Sequence, residues 1–289
     1  MNILSPFDYF APTTKAEALE LLATKQNVKV LAGGTDLVIQ LKEKLVKPES
    51  VVDISKIDEL KGITIKKGEG AVVGACTTNA TCEFSEELKK KYPAFAYACG
   101  EIGGPQIREM GTVGGNLSHS SPSAETPCSL IAYGAELILE SKSGKRTIAV
   151  KDFIHGNRQN DLQAGEIITQ IVLPEPKAKT VVKYGYIGLR KAMEIDAANM
   201  AVSLTVEGGV VKDAMVVMGS VFIKPIISEK IPGLIIGKKV DDAVLKACGE
   251  AAMTEVKPIT DVRASADYRR DTIGALARRL IKEAYAEIK

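Results

Sequence analysis

The chain has 289 residues, of which 45% are hydrophobic and 26% are charged, and its formal net charge is +2. These values are typical of a soluble globular protein with one large domain or two ordinary ones. They exclude a broad basic surface for nucleic acid, and no apolar run approaches the roughly 18 residues of a membrane span. Because the N-terminus also lacks a basic-then-apolar signal pattern, we expect a cytoplasmic protein that binds neither nucleic acid nor membrane.

The N-terminal part predicts a helix followed by a small βαβ unit. Thr14 and Glu17 have the spacing of a capping box, and the helix that they open should end before Asn27. Residues 28–32 and 51–54 have the apolar, β-branched character of strands, and apolar residues between them recur at helical spacing. This order of strand, helix and strand is that of a βαβ unit.

Two adjacent glycines, Gly33 and Gly34, stand between the first of these strands and its helix. Adjacent glycines let the backbone turn through positive φ and bring bare N–H groups close to a ligand. Such N–H groups form a concave anion site, and a following helix N-terminus adds a favourable field. A second pair, Gly114 and Gly115, follows Thr112. Two such loops suit a ligand with two phosphates and a long body, which describes a dinucleotide.

A nicotinamide-binding Rossmann unit is disfavoured. That fold requires G-x-G-x-x-G at its first turn, and no third glycine follows Gly33 and Gly34 in register. Asp53 lies about 20 residues on, where a ribose-binding acid would be placed. One acid does not replace the missing glycine, and the chain lacks the further β–α repeats of a doubly wound sheet.

The middle of the chain predicts a hairpin, helices and a long loop. Residues 62–78 alternate as in a hairpin that turns at 66–70, and two short helices should follow it up to Gly103. From there to Pro127 the sequence is rich in Gly, Ser, Pro and Asn, which predicts a loop without regular structure. Since long loops inside compact domains are usually functional, the second glycine pair should belong to a site.

The C-terminal part predicts strands first and helices afterwards. Residues 135–150 predict a hairpin and 167–173 a further strand, before a polar, proline-bearing stretch at 174–179 predicts a domain boundary. Gly208 and Gly209 then form a two-residue hairpin signal between two strands. Two helices are predicted last, over 241–253 and 266–288, the second with an apolar stripe.

The reactive side chains predict no catalytic residue and no metal site in this chain. The five cysteines are scattered without a C-x-x-C pair, so we expect buried apolar residues in a reducing compartment. His119 and His155 have no partner at metal-ligand spacing, although His119 is close enough to the second glycine pair to reach a ligand there. An arginine cluster is expected to form an exposed helix face or a subunit contact. It comprises Arg263, Arg269, Arg270, Arg278 and Arg279.

The sequence resembles the medium, flavin-carrying subunit of the molybdenum hydroxylases, the family of xanthine, carbon monoxide and nicotinate dehydrogenases. Residues 32–37 and 111–117 look like the two FAD-binding signatures of that family, in the same order. The likeness covers nearly the whole chain. Its other parts are residues 7–12, 48–54, 104–108, 190–191 and 268–270.

This resemblance implies an α+β fold with three parts. A two-subdomain FAD-binding domain of the PCMH or vanillyl-alcohol-oxidase type would be followed by a smaller C-terminal domain of antiparallel sheet plus helices. The expected bounds are residues 1–55 for the first FAD-binding subdomain, 56–175 for the second, and 180–289 for the C-terminal domain.

The resemblance also implies which residues hold FAD. The two loops would wrap the pyrophosphate and ribityl chain, Glu125 would take cofactor hydroxyls, and Ile168 and Tyr186 would lie by the isoalloxazine. Several family members have a lysine near the position of Tyr186, so the flavin potential and the electron acceptor stay open. The expected FAD-binding residues are Val30, Leu31, Ala32, Gly33, Gly34, Thr35, Asp36, Leu37, Gly103, Thr112, Gly114, Gly115, Asn116, Glu125, Ile168 and Tyr186.

The function implied is that of an electron-transfer subunit, which passes electrons from iron–sulfur clusters through FAD to NAD or another acceptor. Its expected partners are a small subunit with [2Fe-2S] clusters and a large subunit with molybdopterin. The alternative is a stand-alone FAD-dependent oxidase of the same fold superfamily. Such oxidases usually carry a substrate domain, and the C-terminal part here is small for one. A binding or scaffold protein without redox activity is a third interpretation.

Overall fold

A computed structural model describes residues 4–190 and 192–288 of the chain. It contains three main sheets, which follow one another along the sequence, with one short two-stranded sheet beside the second. Within the described residues, none of the helices combines the length and the apolar character that a membrane span requires.

The first sheet has three parallel strands in the order β1, β3, β2. The elements of this region are β1 (Asp8–Phe10), α1 (Lys15–Thr24), β2 (Val28–Leu31), α2 (Leu37–Lys42) and β3 (Ser50–Asp53). The parallel pairing of β2 with β3 confirms the predicted βαβ unit, and the Thr14 side chain accepts from the Glu17 N–H as the helix cap requires. The sequence did not indicate β1, because three mostly exposed residues show no alternation.

The second sheet is antiparallel in the order β4, β5, β10, β6, β7, and six short helices lie between β5 and β6 in the chain. Its strands are β4 (Ile63–Lys66), β5 (Gly70–Gly74), β6 (Glu136–Ser141), β7 (Gly144–Ala149) and β10 (Ile167–Leu173). The helices are α3 (Asn79–Phe84), α4 (Glu86–Lys91), α5 (Pro93–Gly100), α6 (Pro105–Met110), α7 (Val113–His119) and α8 (Thr126–Ala132). A turn of helix, α9 (Val150–Phe153), leads to the small sheet of β8 (Ile154–Gly156) and β9 (Gln159–Asn160).

This region confirms both predicted hairpins and contradicts the predicted loop. The stretch after Gly103 is not irregular, because it forms α6, α7 and the start of α8. Pro105 opens α6, and the Thr112 side chain caps α7. These helices are too short for an apolar period, so composition alone suggested a loop. Three helices, not two, precede Gly103.

The third sheet is antiparallel in the order β11, β12, β13, β14 and is followed by helices. The elements are β11 (Thr180–Ile187), β12 (Ala198–Glu207), β13 (Val210–Gly219), β14 (Ile226–Ile227), α10 (Ile231–Ile235), α11 (Asp242–Glu255) and α12 (Ala266–Ile288). Gly208 and Gly209 have φ of +58° and +73°, which confirms the predicted two-residue hairpin.

Packing joins the second and third sheets into a continuous core. Val182 and Tyr184 of β11 and Val217 of β13 belong to the same buried cluster as the helices of the second region. On the other face, the predicted apolar stripe of α12 packs against the third sheet. All five cysteines are buried, as expected.

Arg269 contradicts the prediction of an exposed arginine face. It is 2% exposed, and its Nη1 donates to the carbonyl oxygens of Ala197 at 2.7 Å and Ser220 at 3.2 Å. Its Nη2 donates to the Asp261 carboxylate at 2.9 Å. Its acceptors come from three distant segments, so no local pattern revealed its burial.

Candidate functional site

The first glycine loop joins β2 to α2. Gly34 has φ of +73°, in the left-handed region that favours glycine. A Cβ atom on Gly33 would lie 1.8 Å from the Met110 carbonyl oxygen, so no side chain fits there. Gly34 therefore allows the turn, and Gly33 allows a close approach to another backbone.

The second glycine pair lies inside α7. Thr112 is the N-cap, and its Oγ1 accepts from the Gly115 N–H at 3.1 Å. The Gly114 N–H donates to the Ala75 carbonyl oxygen at 2.9 Å, and a Cβ on Gly114 would lie 2.6 Å from the Ala75 Cβ. Neither glycine has positive φ. The prediction of a left-handed turn is therefore wrong for this pair, and its glycines instead allow close packing.

The two loops meet in space. The missing side chain of Gly33 lets its backbone lie against Met110 and Gly111, at the start of the second signature. From the other direction, Thr35 Oγ1 lies 3.5 Å from the point where a Cβ on Gly111 would stand. The two sequence signatures thus form one surface.

His119 adds a polar contact between the same two segments. At the end of α7, its Nε2 lies 3.5 Å from an Asp36 carboxylate oxygen, and its Nδ1 lies 3.5 Å from Gln40 Nε2. Asp36 and Gln40 belong to the first loop and to α2. His119 therefore faces the first loop, and His155 instead contacts Asp161 on the surface.

A buried carboxyl lies beside the second loop. Asn116 Oδ1 accepts from Thr126 Oγ1 at 2.6 Å, next to Glu125, which is 7% exposed. Burial, and then the nearby carboxyl of Asp196, raise the pKa of Glu125 well above its ordinary value, while a hydrogen bond with Asn116 lowers it in part. This shift favours the neutral carboxyl, which can donate as well as accept a hydrogen bond.

Asp196 extends this polar group toward the third sheet. Its carboxylate accepts from Tyr184 at 3.3 Å and from Asn199 Nδ2 at 3.0 Å. Burial raises the pKa of Asp196 to about 7 despite these hydrogen bonds. Asp196 was not predicted from the sequence, because its partners converge only in the folded sheet.

Ile168 lies behind the second loop. It is buried in β10 beside an irregularity of register, and the carbonyl of its neighbour Thr169 accepts from the Ala75 N–H at 3.0 Å. Because Gly114 also bonds to Ala75, the strand and the loop share one residue as support.

Tyr186 lies in β11, half-buried against the core of the second region. Burial, followed by a hydrogen bond with Glu101, raises the pKa of its hydroxyl. Glu101 lies two residues before Gly103, so Tyr186 contacts the segment that leads to α6.

Gly103 is held by an arginine that the sequence did not single out. Gly103 has φ of +50°, and its carbonyl oxygen accepts from Arg108 Nη1 at 3.0 Å. Arg108 also donates from Nη1 to the Ile102 carbonyl at 3.3 Å and pairs through Nε with Glu83 at 2.6 Å. Such a fixed fork of donors holds the backbone before the second signature in one conformation.

The remaining predicted residues support the first loop. Val30 and Leu31 belong to β2, and Val30 and Ala32 pack against the core of the first region. Leu37 begins α2. A separate open groove of about 700 Å³ is lined by β1 and α1 residues and includes neither glycine loop.

Two family models match the chain. The FAD binding domain in molybdopterin dehydrogenase matches residues 5–176, and the CO dehydrogenase flavoprotein C-terminal domain matches residues 186–284. Together they account for the three successive sheets of the fold.

Relatives match over their full lengths. The glyceraldehyde dehydrogenase medium chain of Sulfolobus acidocaldarius is 32% identical over 96% of this chain and 98% of its own. The carbon monoxide dehydrogenase medium chain of Afipia carboxidovorans is 33% identical over 98% of each chain. A solved carbon monoxide dehydrogenase from Hydrogenophaga pseudoflava superposes with a TM-score of 0.93 at 30% identity, covering 98% of this chain and 99% of its own.

The fold and the converging loops define a flavoprotein subunit with an FAD-binding domain and a separate C-terminal domain. The chain belongs to the family of FAD-binding medium subunits of molybdenum hydroxylases, whose members are subunits of multi-subunit molybdenum oxidoreductases. The predicted family, fold class and cofactor are therefore confirmed.

Proposed function

We propose that this chain is the electron-transfer subunit of a molybdenum hydroxylase complex and holds FAD where its two glycine loops meet. The convergence of the loops carries this proposal, since Gly33 lies against Met110 and Gly111. Had the two signatures been on opposite sides of the domain, one dinucleotide could not have used both.

The residues at this junction fit the cofactor. Gly34 and Gly115 place no side chain beside the loop backbone, so a pyrophosphate can approach it there, whereas protein atoms fill the space beside Gly33 and Gly114. Thr35 supplies a hydroxyl, and Asn116 and Glu125 form a polar group beside the loops. We propose that all residues expected to bind FAD do so. One group would contact FAD through side chains: Thr35, Thr112, Asn116, Glu125 and Tyr186. The other group would contribute backbone groups or hold the loops in place: Val30, Leu31, Ala32, Asp36, Leu37, Gly103 and Ile168.

When bound, FAD supplies the redox chemistry, and the protein orients and tunes it. We propose a small subunit with [2Fe-2S] clusters as electron donor, a large subunit with molybdopterin as the place of substrate oxidation, and NAD or another molecule as acceptor. Tyr186 brings no fixed positive charge to the flavin, and its neighbour Glu101 is acidic. With tyrosine at position 186, the environment of the flavin is less positive than it would be with lysine there.

We also propose the division into residues 1–55, 56–175 and 180–289, and a cytoplasmic location. The three main sheets support the division, because the first uses residues 8–53, the second 63–173 and the third 180–227.

The alternative, a stand-alone FAD-dependent oxidase, is less well supported. The C-terminal residues match a flavoprotein domain of a dehydrogenase subunit, and the chain is as long as the medium chains that it resembles. On one face of the third sheet, the helices of that domain pack into a core that is separate from the core of the second region.

The test compares the chain alone with the assembled complex. We expect the isolated chain to bind FAD non-covalently, and to oxidise no purine, pyridine or aldehyde in a dye-linked assay. The purified complex should contain FAD, iron and molybdenum and should turn over. Turnover by the isolated chain at the rate of the complex would favour the oxidase, and a folded chain that binds no FAD would overturn the cofactor site.

A further inference from the structure

Residues 75–79 support the second glycine loop along its whole length. The Asn79 N–H donates to the Gly111 carbonyl at 2.9 Å, and the Val113 N–H donates to the Thr77 carbonyl at 3.1 Å. Thr78 and Thr112 form a β-bridge between these two bonds. The segment therefore follows the second signature from its first residue, although it belongs to neither glycine motif.

The side chain of Asn79 is buried at the point where the two loops meet. It is 1% exposed, and its Nδ2 lies 3.1 Å from the position that a Cβ on Gly111 would take. Thr35 Oγ1 lies 3.5 Å from the same position. The amide of Asn79 and the hydroxyl of the first loop thus point at one place from two sides.

The oxygen of this amide has no hydrogen-bond partner. Within residues 4–190 and 192–288, Asn79 Oδ1 is one of three buried side-chain polar atoms without one. A buried acceptor that gave up water and gained no partner costs free energy of folding. Such a cost persists where a ligand provides the missing partner, and the other end of the same amide, Nδ2, lies at the junction of the loops.

We propose that Asn79 is a further FAD-binding residue, whose side-chain amide hydrogen-bonds the cofactor where the loops meet. An amide offers one acceptor and two donors. The cofactor is complementary, because its pyrophosphate oxygens accept and its ribityl and ribose hydroxyls donate. This inference rests on the proposed function, since it requires that FAD occupy the junction.

Asn79→Leu tests the assignment, because leucine has a similar volume and no polar atom. We expect the dissociation constant for FAD to rise about tenfold, which is the loss of one to two good hydrogen bonds. Without FAD, the variant should melt at the wild-type temperature or above, because an unpaired buried acceptor is gone. Affinity and stability would then change in opposite directions, which no purely structural asparagine produces.

Asn160→Leu provides the matched control. The amide of Asn160 is bonded within the protein, donating to the Ser118 carbonyl at 2.8 Å and accepting from the Leu162 N–H at 3.1 Å. This variant should melt at a lower temperature without FAD. If Asn79→Leu behaves in the same way, or if its FAD affinity equals that of the wild type, the proposal is wrong.

Asn79→Asp is the second variant and carries the test if the leucine variant does not fold. It keeps the shape of asparagine and adds a negative charge beside the pyrophosphate, so we expect a larger loss of FAD affinity that shrinks at high salt. Wild-type affinity in this variant would also contradict the assignment. A wild-type chain that binds no FAD would instead overturn the proposed function, so the two failures are distinguishable.

Discussion

Gly33 and Gly34 lie in an open loop between a strand and a helix, whereas Gly114 and Gly115 lie inside α7. In the first pair, one glycine takes a left-handed φ of +73° and the other lets two backbones touch. In the second pair, both have ordinary φ, and Gly114 is needed because Ala75 fills the space of its side chain. The same dipeptide thus meets three separate steric requirements.

This difference separates the cofactor role of the loops from their structural role. Gly33 and Gly114 are both blocked by protein atoms, so a side chain at either position disturbs the chain itself before any ligand binds. Loss of FAD after such a substitution is therefore not sufficient evidence of direct contact. Substitutions that change one steric requirement at a time separate the two roles.

The largest effect is expected for Gly33→Ala. Its methyl group would overlap the Met110 carbonyl. The atoms that it meets in Met110 and Gly111 all belong to the backbone and cannot rotate away as a side chain could. We expect a loss of about 3 kcal/mol in the free energy of unfolding and loss of bound FAD. Urea denaturation and flavin absorbance measure the two. Gly233→Ala, in α10 with no atom within 4 Å of its added methyl, is the control and should stay within about 0.5 kcal/mol. A stable, FAD-bound Gly33→Ala chain would show that the loops do not meet.

Gly114→Ala should cost about 2 kcal/mol, because its methyl group meets the Ala75 Cβ at 2.6 Å and the Ala75 carbonyl oxygen at 2.7 Å. Adding Ala75→Gly to the same chain removes the first clash and leaves the second. We therefore expect partial recovery of stability in the double variant, measured by denaturation. Ala75→Gly alone should cost some stability. If the double variant is no more stable than Gly114→Ala, the packing described for α7 is wrong.

Glu125→Gln tests the buried carboxyl beside the second loop. The pKa of Glu125 is raised in the folded chain, so the native state binds a proton more tightly than the unfolded state. The stability linked to this proton is complete below the ordinary pKa of 4.5 and is lost as the pH rises toward the folded value.

Glu125→Gln should therefore reduce the fall of stability with rising pH above about 4.5, as followed by thermal melting at several pH values. Part of the fall should remain, because Asp196, with a pKa of about 7, acts in the same direction. Glu87→Gln removes an exposed carboxyl and serves as the control for the change in net charge. An unchanged slope in the Glu125 variant would mean that its carboxyl reaches water.

Much of the fold could be predicted from local patterns. The βαβ unit, both hairpins of the second sheet and the Gly208–Gly209 turn follow from strand propensity and turn chemistry, which act over a few residues. The helices α6 and α7 could not be found in this way, because they have only six and seven residues and depend on packing against their neighbours.

In the candidate site, too, the features that depend on local sequence could be predicted, and those that depend on distant residues could not. The two signatures were visible as glycine pairs, and their convergence agrees with a shared ligand. Asn79 and Asp196 were not visible in the sequence, and Arg108 was visible only as part of a segment that resembles the family. Each owes its position to a residue of another segment: Gly111, Tyr184 and Glu83 respectively. Burial and an unpaired atom can be recognised only after the chain has folded.

Gly34→Ala tests the left-handed turn, which the second loop lacks. The added methyl would touch only the ends of the Leu31 and Val38 side chains, at 3.0 and 3.2 Å, so the backbone conformation dominates the cost. We expect a loss of about 1.5 kcal/mol in the free energy of unfolding. Gly34→Asn should cost less, because asparagine tolerates the left-handed region. Equal losses for the two variants would indicate crowding instead of φ.

The smallest effects distinguish the helix caps that follow each loop. Thr112 caps α7 through a hydrogen bond from the Gly115 N–H, whereas Asp36 at the start of α2 makes no side-chain cap bond. Thr112→Ala should therefore lower the free energy of unfolding without FAD by about 1 kcal/mol, and Asp36→Ala by less than about 0.5 kcal/mol. Thr112→Ala should remain the more destabilising variant at high salt, because a hydroxyl cap does not depend on charge. If Asp36→Ala proved the more destabilising of the two, the contact between Asp36 and His119 would contribute more to stability than the Thr112 cap does.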